Sequence, residues 1–367
     1  MCVVIAKYIK DLGWIGAKNR DRNYKPLIKI KQSFRDGIER MYIYDDKTKY
    51  TEGLNEFGIA VLSAAVAVTK DEKEGASAGA DESFASPDGK KVRTALLEKT
   101  LEKVLAKCIE LELPGNTIVF TKEKCILLEG YFPESINKET GEVEFGDYVS
   151  KTQNIKKDEF VVRTNHGVLL PDAGYQKGTG DEKIEASRAS SENRRAVVEK
   201  LMKGVKEPED MIEALSNLDN KDPQMNPLRK SETHGKSILV TTGQIMLNPG
   251  ELTLSYRNIW SDVEFDHNKL DHPSKKTSFE VVSSKKLLSL KEWLSESKDP
   301  DHPDNMGRPL DLTHDEKIYM KTSKVENKKG PTTKEEILRI AKERFDKGIL
   351  TKAEYKRALE IALQGFK

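Results

Sequence analysis

Cysteine is scarce in this chain: three residues in 367, Cys2, Cys108 and Cys125. Three is too few, and the wrong parity, for a disulfide framework, and no CxxC pair is present to grip a metal. Cys108 falls in a helical pattern and Cys125 in a strand pattern, so both read as buried apolar fillers. Histidine is hardly commoner. The six, His166, His234, His267, His272, His302 and His314, show no paired ligand spacing, and no zinc site is expected. Gly178-Thr179-Gly180 is not followed by a lysine at phosphate-loop spacing, which leaves no cofactor to expect.

Long apolar runs are missing too. No window approaches the roughly 18 residues of a spanning helix, and the chain start lacks the basic region and apolar run of a secretion signal. A cytoplasmic protein with no membrane partner is the expectation. Neither charge is in excess: Lys+Arg 62 against Asp+Glu 61 gives a formal net charge of +1. That supplies no global field to attract nucleic acid, and none is expected as a partner. What is present, 37% hydrophobic and 34% charged residues, suits a globular chain with one large core or two modest ones.

Strand patterns occupy the opening run Cys2-Val3-Val4-Ile5-Ala6 and the run Gly13-Trp14-Ile15-Gly16-Ala17, which together read as a hairpin turning near Asp11. Leu54-Asn55-Glu56-Phe57-Gly58 reads as a turn into the nearly continuous apolar run Ile59 to Val66, the pattern of a strand buried on both faces. Residues 69–89 read as a solvated excursion. Residues 92–111 carry helical spacing, stopped by Pro114-Gly115. Further strands are expected at 117–120, 125–129, 159–163, 237–247 and 251–258, and helices at 192–203 and 208–218. Strands in antiparallel runs with helices in blocks indicate an α+β fold. Residues 1–265 form the expected catalytic domain, 266–330 a polar extension or linker, and 331–367 a helical hairpin whose apolar stripe needs a partner.

The chemistry starts at the second residue. Cysteine is small enough for aminopeptidase removal of Met1, and Cys2 would then bring a thiol and an α-amine to one site. Their reference pKa values, about 8.5 and about 7.7 to 8.0, allow the amine to serve as the base for the thiol. Lys18-Asn19-Arg20-Asp21 follows the second strand and is brought back beside the chain start by the hairpin. A carboxylate at Asp21 can hold the amine, and Lys18 or Arg20 can lower the thiol pKa. Asn165, at a strand end in Val161 to Gly167, can give an amide to an oxyanion. Arg194 and Arg195 are read as opening a helix, where they can brace the site or meet a substrate carboxylate. His166 can line the pocket or cap a turn.

Four segments, in this order, resemble the cysteine N-terminal nucleophile hydrolases, the group that includes choloylglycine hydrolase, penicillin V acylase, acid ceramidase, N-acylethanolamine acid amidase and isopenicillin N acyltransferase. They are Met1-Cys2, Lys18-Asn19-Arg20-Asp21 (similar to Arg-Asn-x-Asp), Asn55-Glu56-Phe57-Gly58-Ile59-Ala60 (similar to Asn-Glu-x-Gly-Leu-Ala), and Thr164-Asn165 with Asn193-Arg194-Arg195. The segments lie between residues 1 and 195, and the likeness as a whole spans roughly residues 2 to 260. The resemblance implies a four-layer αββα sandwich, Cys2 as nucleophile, Asp21 as partner of its amine, Asn165 as oxyanion donor and Arg194 as the supporting arginine. It implies a small-molecule amide as substrate and a thioester intermediate. Two positions depart from the pattern: Lys18 stands where the group has arginine, a point charge in place of a planar fork, which leaves either Lys18 or Arg20 to support the nucleophile, and Ala65 stands where the bile-salt branch has asparagine. The ceramidase and acyltransferase branch is nearer on that count. Asn19-Arg20-Asp21 after an N-terminal Met-Cys also resembles the NRDE-motif proteins. The 331–367 hairpin resembles short oligomerisation modules, which implies a homo-oligomer. The departures keep a second class open, a non-catalytic binding or structural protein on a degenerate hydrolase scaffold.

Overall fold

The computed structural model describes residues 2–22, 26, 28–45, 48–66, 87–136, 143–175, 178–229, 240–259, 280–283 and 342. The chain divides into two units, Met1–His314 and Asp315–Lys367. The helical hairpin expected at 331–367 lies outside the described residues apart from Lys342.

In chain order the strands are β1 (Cys2–Ile9), β2 (Gly13–Arg22), β3 (Ile28–Arg35), β4 (Ile38–Asp45), β5 (Thr51–Asn55) and β6 (Ala60–Ala64). Helices α1 (Pro87–Ala95) and α2 (Leu101–Glu110) follow. Then come β7 (Gly115–Phe120), β8 (Cys125–Tyr131), β9 (Glu134–Ile136), β10 (Val143–Phe145), β11 (Val149–Ile155) and β12 (Phe160–Arg163). Helices α3 (Glu182–Met202) and α4 (Pro208–Leu215) precede β13 (Val240–Asn248), β14 (Thr253–Asn258) and β15 (Glu280–Ser283). One sheet has the order β12-β1-β2-β13-β14-β15 and the other β11-β8-β7-β6-β5-β4-β3, with β9 and β10 forming a small ribbon. Every strand pair is antiparallel.

The packing follows from side-chain alternation along each strand. Val4, Ala6 and Trp14 of the first sheet meet Leu62, Ile118 and Leu127 of the second in a common interior. On the far face of the first sheet, Val3, Ile5 and Ile15 pack on Val198, Met202 and Ile212 of α3 and α4. On the far face of the second, Val61, Val119 and Leu128 pack on Val92, Val104 and Cys108 of α1 and α2. The result is an αββα sandwich of four layers. Each buried valine, leucine, isoleucine or methionine side chain among these contributes about 1.5–3 kcal/mol.

Several expectations need correction. The single helix expected over 92–111 is two, because Thr100 opens α2 by accepting from the Lys103 backbone N–H. The excursion expected over 69–89 ends earlier, since Pro87 already belongs to α1, while residues 67–86 lie outside the described part. Strands β3, β4 and β11 fall where no element was expected, and β5 where only a turn was. Strand β4 hides as Ile38-Glu39-Arg40-Met41-Tyr42-Ile43-Tyr44-Asp45, whose charged residues look solvated and are in fact buried. Strand β15 pairs with β14 from within the stretch read as a polar extension. Among the described residues no helix is long and apolar enough to cross a membrane.

Candidate active site

The β1–β2 hairpin sets the site. Asp11 (φ 70) and Gly13 (φ +90) make the tight turn, and at Gly13 a Cβ would lie 2.4 Å from the Lys122 carbonyl oxygen, so only glycine fits. The register pairs Cys2 with Arg20 and Val4 with Lys18. Strand β2 therefore runs on through Lys18 to Arg22 rather than ending at Ala17. Alternation then separates the charged motif. Lys18 and Arg20 share the face of Cys2 toward the second sheet, while Asn19 and Asp21 face the helices.

Between the sheets, Cys2 is buried against a cluster of charges. The two oxygens of Glu52 on β5 take Lys18 Nζ and Arg20 Nη1, the second at 2.6 Å. Arg20 Nη2 reaches Asp45 at 3.4 Å, and Arg22 Nε lies 3.9 Å from the same carboxylate. Lys18 also donates to the Ser63 carbonyl, which accepts from Tyr50 Oη at 3.0 Å. The Tyr50 ring has Lys18 Nζ at 4.6 Å and the Arg20 and Arg22 guanidinium carbons at 5.5 and 5.3 Å. Arg22 Nη1 lies 3.7 Å from Cys2 Sγ. Burial pushes the Cys2 thiol up, but nearby positive charge, Lys18 first and Arg22 with it, outweighs burial and brings the thiol down from 9.0 to about 7. Burial alone raises Cys108 to about 12 and pushes Cys125 far up, which favours the protonated thiol at both. Glu52 is also held up by burial yet ends low, because Lys18 and Arg20 face it.

On the helix side, Arg194 of α3 joins Asp21 and Asn165. Its Nη1 contacts Asp21 Oδ2 at 3.2 Å and its Nη2 contacts Asn165 Oδ1 at 3.2 Å. Asp21 Oδ1 accepts from Thr241 Oγ1 at 2.8 Å, and Arg229 Nε lies 3.8 Å from Oδ2. Burial and then Arg229 push the Arg194 guanidinium down to about 9, with Asp21 and Cys2 opposing, so it stays charged at neutral pH. The Cys2 backbone nitrogen donates to Asn165 Oδ1 at 2.9 Å, and Asn165 Nδ2 donates to the Ala65 carbonyl at 2.6 Å.

The structure thus gathers Cys2, Lys18, Arg20, Asp21, Asn165 and Arg194, with arrangements that differ from the expected ones. Asp21, which alternation puts on the helix face, bonds to Arg194 and Thr241, and Arg194 in turn contacts Asn165, the acceptor of the Cys2 nitrogen. Asn165 presents its carbonyl to Cys2, and its amide is already taken by Ala65. Arg20 lies under the site, tied to Glu52, and it is Arg22 that reaches the sulfur. Arg194 and Arg195 do not open a helix: α3 starts twelve residues before Arg194 (194 − 182), where Asp181 caps it through Lys183 and Ile184. Arg195 pairs with Glu199 one turn on, away from Cys2. His166 is buried, its Nδ1 2.8 Å from Ser191 Oγ, and burial with Arg188 and Arg195 lowers it to about 3.

Arg22, Glu52, Tyr50, Asp45, Arg229 and Thr241 were not singled out from sequence. The Lys18, Arg20, Arg22 alternation opposite Cys2 carries a readable signal once β2 extends to residue 22. The rest arrive from segments distant in the chain and have no local signal. Among the described residues no group of three or more His, Cys, Asp or Glu side chains is placed to hold a metal ion.

No protein-family model matches this chain, and no curated protein matches it. Solved structures similar to it include the Caenorhabditis elegans N-acylethanolamine-hydrolyzing acid amidase ortholog, at 14% identity over 68% of this chain and 93% of that one, with a TM-score of 0.41. Penicillin V acylase from Agrobacterium tumefaciens aligns at 11% identity over 78% of this chain and 87% of that one, TM-score 0.42. A mutant of conjugated bile acid hydrolase from Clostridium perfringens aligns at 12% identity over 77% and 97%, TM-score 0.42.

Proposed function

We propose that this protein cleaves or transfers the acyl group of a linear small-molecule amide, with Cys2 as nucleophile after loss of Met1. The contact that carries this reading is the 2.9 Å bond from the Cys2 nitrogen to Asn165 Oδ1, beside a thiol lowered to about 7 with Arg22 Nη1 at 3.7 Å. Loss of Met1 turns that nitrogen into an α-amine, with an ordinary pKa of about 7.7 to 8.0. Asn165 then holds the amine in place, Arg194 braces Asn165, and Asp21 with Thr241 braces Arg194.

The amine takes the thiol proton and the thiolate forms a bond to the amide carbonyl carbon. As the C–N bond breaks, the proton passes to the departing nitrogen. Water or an acceptor amine then attacks the thioester and returns the thiol. Lys18 and Arg22 favour the thiolate at the start of this sequence. Hydrolysis and acyl transfer differ only in the group that attacks the thioester.

Intact mass spectrometry tests the reading. The mature chain should lack Met1, and exposure to a panel of N-acyl amides, penicillins and short peptides should leave an acyl adduct on Cys2. Cys2→Ala should abolish adduct and turnover, and Cys2→Ser should keep partial activity at most. Retention of Met1, or full turnover by Cys2→Ala, overturns the mechanism and leaves the non-catalytic scaffold as the better reading.

A further inference from the structure

Asn165 is neither in a helix nor in the ladder of a strand; it sits just beyond β12, at the entry to a loop that doubles back through residues 166–175. The loop closes on itself by the Gly167 N–H to the Ala173 carbonyl (2.8 Å), the Ala173 N–H to the Leu170 carbonyl (2.9 Å) and a bridge between His166 and Gly174. Such a segment has few ladder bonds of its own, so its position depends on what grips it from outside.

Part of the grip comes from α3, where Ser191 Oγ accepts from the Asn165 N–H at 3.0 Å and Arg194 Nη2 contacts the Asn165 side-chain oxygen at 3.2 Å, and the rest of the loop is gripped from the opposite sheet. Glu129 on β8 is fully buried, and its carboxylate accepts from three successive backbone amides: Val168 and Leu170 to Oε1, both at 2.8 Å, and Leu169 to Oε2 at 3.1 Å. A carboxylate is suited to this, since both oxygens accept and neither donates. Asn116 on β7 adds a second hold, its Nδ2 donating to the Thr164 carbonyl at 2.9 Å and the His166 carbonyl at 3.2 Å. Those two carbonyls flank Asn165. The glycines record how close the approach is. A Cβ at Gly167 would lie 2.9 Å from Glu129 Oε1, and one at Gly174, where φ is +79, would lie 2.7 Å from the Asn165 carbonyl oxygen.

We propose that Glu129 is a positioning residue: from the second sheet it fixes the loop that sets Asn165 against the Cys2 nitrogen, and through that contact it tunes the reactivity of the thiol. The inference rests on Cys2 being the reactive residue. Pairing with Arg20 on β2 and the bond from its nitrogen to Asn165 together place the Cys2 backbone, and Lys18 and Arg22 act on the thiol from that placement. Loosening the loop lets that backbone drift from both cations and raises the pH at which the thiolate forms.

The test is the pH profile of Cys2 alkylation by iodoacetamide, read by intact mass on wild type, Glu129→Gln, Asn165→Ala and the double variant. A glutamine turns one oxygen into a donor facing backbone N–H groups, so the three amides cannot all stay satisfied. Glu129→Gln and Asn165→Ala should each raise the midpoint by about half a pH unit or more, and the double variant should go no further than Asn165→Ala alone. Folded Glu129→Gln with an unmoved midpoint, or a shift that adds in full to that of Asn165→Ala, overturns the proposal. A lower melting temperature with the midpoint unchanged would mark Glu129 as merely structural, and also overturns it. Should Glu129→Gln not fold, Glu129→Asp, one methylene short but still a carboxylate, should give a smaller shift in the same direction, and no shift counts against the proposal. Failure of wild type to turn over any amide would sink the enzymatic reading alone, since the midpoints still decide the role of Glu129.

Discussion

Asn165 turns its side-chain carbonyl toward the backbone nitrogen of Cys2, 2.9 Å away, although 163 positions separate them in the chain. Arg194 keeps it there, spanning from Asn165 to Asp21 with both guanidinium nitrogens at 3.2 Å. All three side chains are buried, so nothing solvates a charge left behind. Arg194→Ala should therefore lower stability by about 3–5 kcal/mol, the cost typical of removing one partner of a buried ion pair. Urea unfolding measures it, and a loss under about 1 kcal/mol would show that Arg229 and Thr241 alone suffice to hold Asp21.

Cys2 should be the one thiol that reacts in the native protein. At pH 8 iodoacetamide should add once, at Cys2, with half-maximal rate near pH 7, while Cys108 and Cys125, raised by burial, stay protonated. The same shift has a stability sign. A thiol depressed from 9.0 to about 7 stabilises the fold fully above pH 9, and that contribution fades as pH falls through about 7. At 1.36 kcal/mol per unit, the stability difference between wild type and Cys2→Ser should grow by about 2–3 kcal/mol from pH 6 to pH 9. A flat difference across that range would place the thiol near its ordinary value.

Much of this arrangement is legible in the sequence, and the illegible part has a physical cause. The β1–β2 hairpin, the buried β6 run and the helical blocks follow from periodicity and turn residues, so the α+β layout is readable. Cys2, Asp21, Asn165 and Arg194 are readable as a set because each lies in a short ordered motif. Their bonding is not, because the face each residue takes depends on register. One step along β2 sends Lys18 and Arg20 between the sheets and Asn19 and Asp21 toward the helices. Glu52 and Glu129 are unreadable for another reason: a carboxylate in a strand looks like a solvated position until its partners arrive from elsewhere in the fold.

His166 gives a second pH dependence, of acid instability. Burial first, then Arg188 and Arg195, bring it from 6.5 to about 3, so it stays neutral in the fold while the unfolded chain protonates. The folded value is depressed, hence stability is intact above pH 6.5 and is lost progressively between 6.5 and about 3. Near pH 4.5 the loss from this residue alone should reach about 2–3 kcal/mol. His166→Gln, which keeps a polar side chain beside Ser191 Oγ, should remove that part of the slope. Equal slopes for variant and wild type between pH 6.5 and 4.5 would count against it.

Glu52 decides whether the cations beneath Cys2 act as charges or as a neutralised lattice. Its two oxygens bind Lys18 and Arg20, and its removal leaves both cations buried with less compensation. Glu52→Gln should cost about 3–5 kcal/mol of stability in urea unfolding. Its effect on the thiol is the sharper measurement. With Lys18 still protonated, the potential at Cys2 becomes more positive and the alkylation midpoint falls below 7. Burial alone pulls Lys18 down, but Cys2 and Glu52 together hold it above its ordinary value, and Cys2 remains in the variant. A midpoint that rises instead would mean that Lys18 loses its proton once Glu52 is gone, and that the lysine depends on Glu52 for the charge it lends to Cys2.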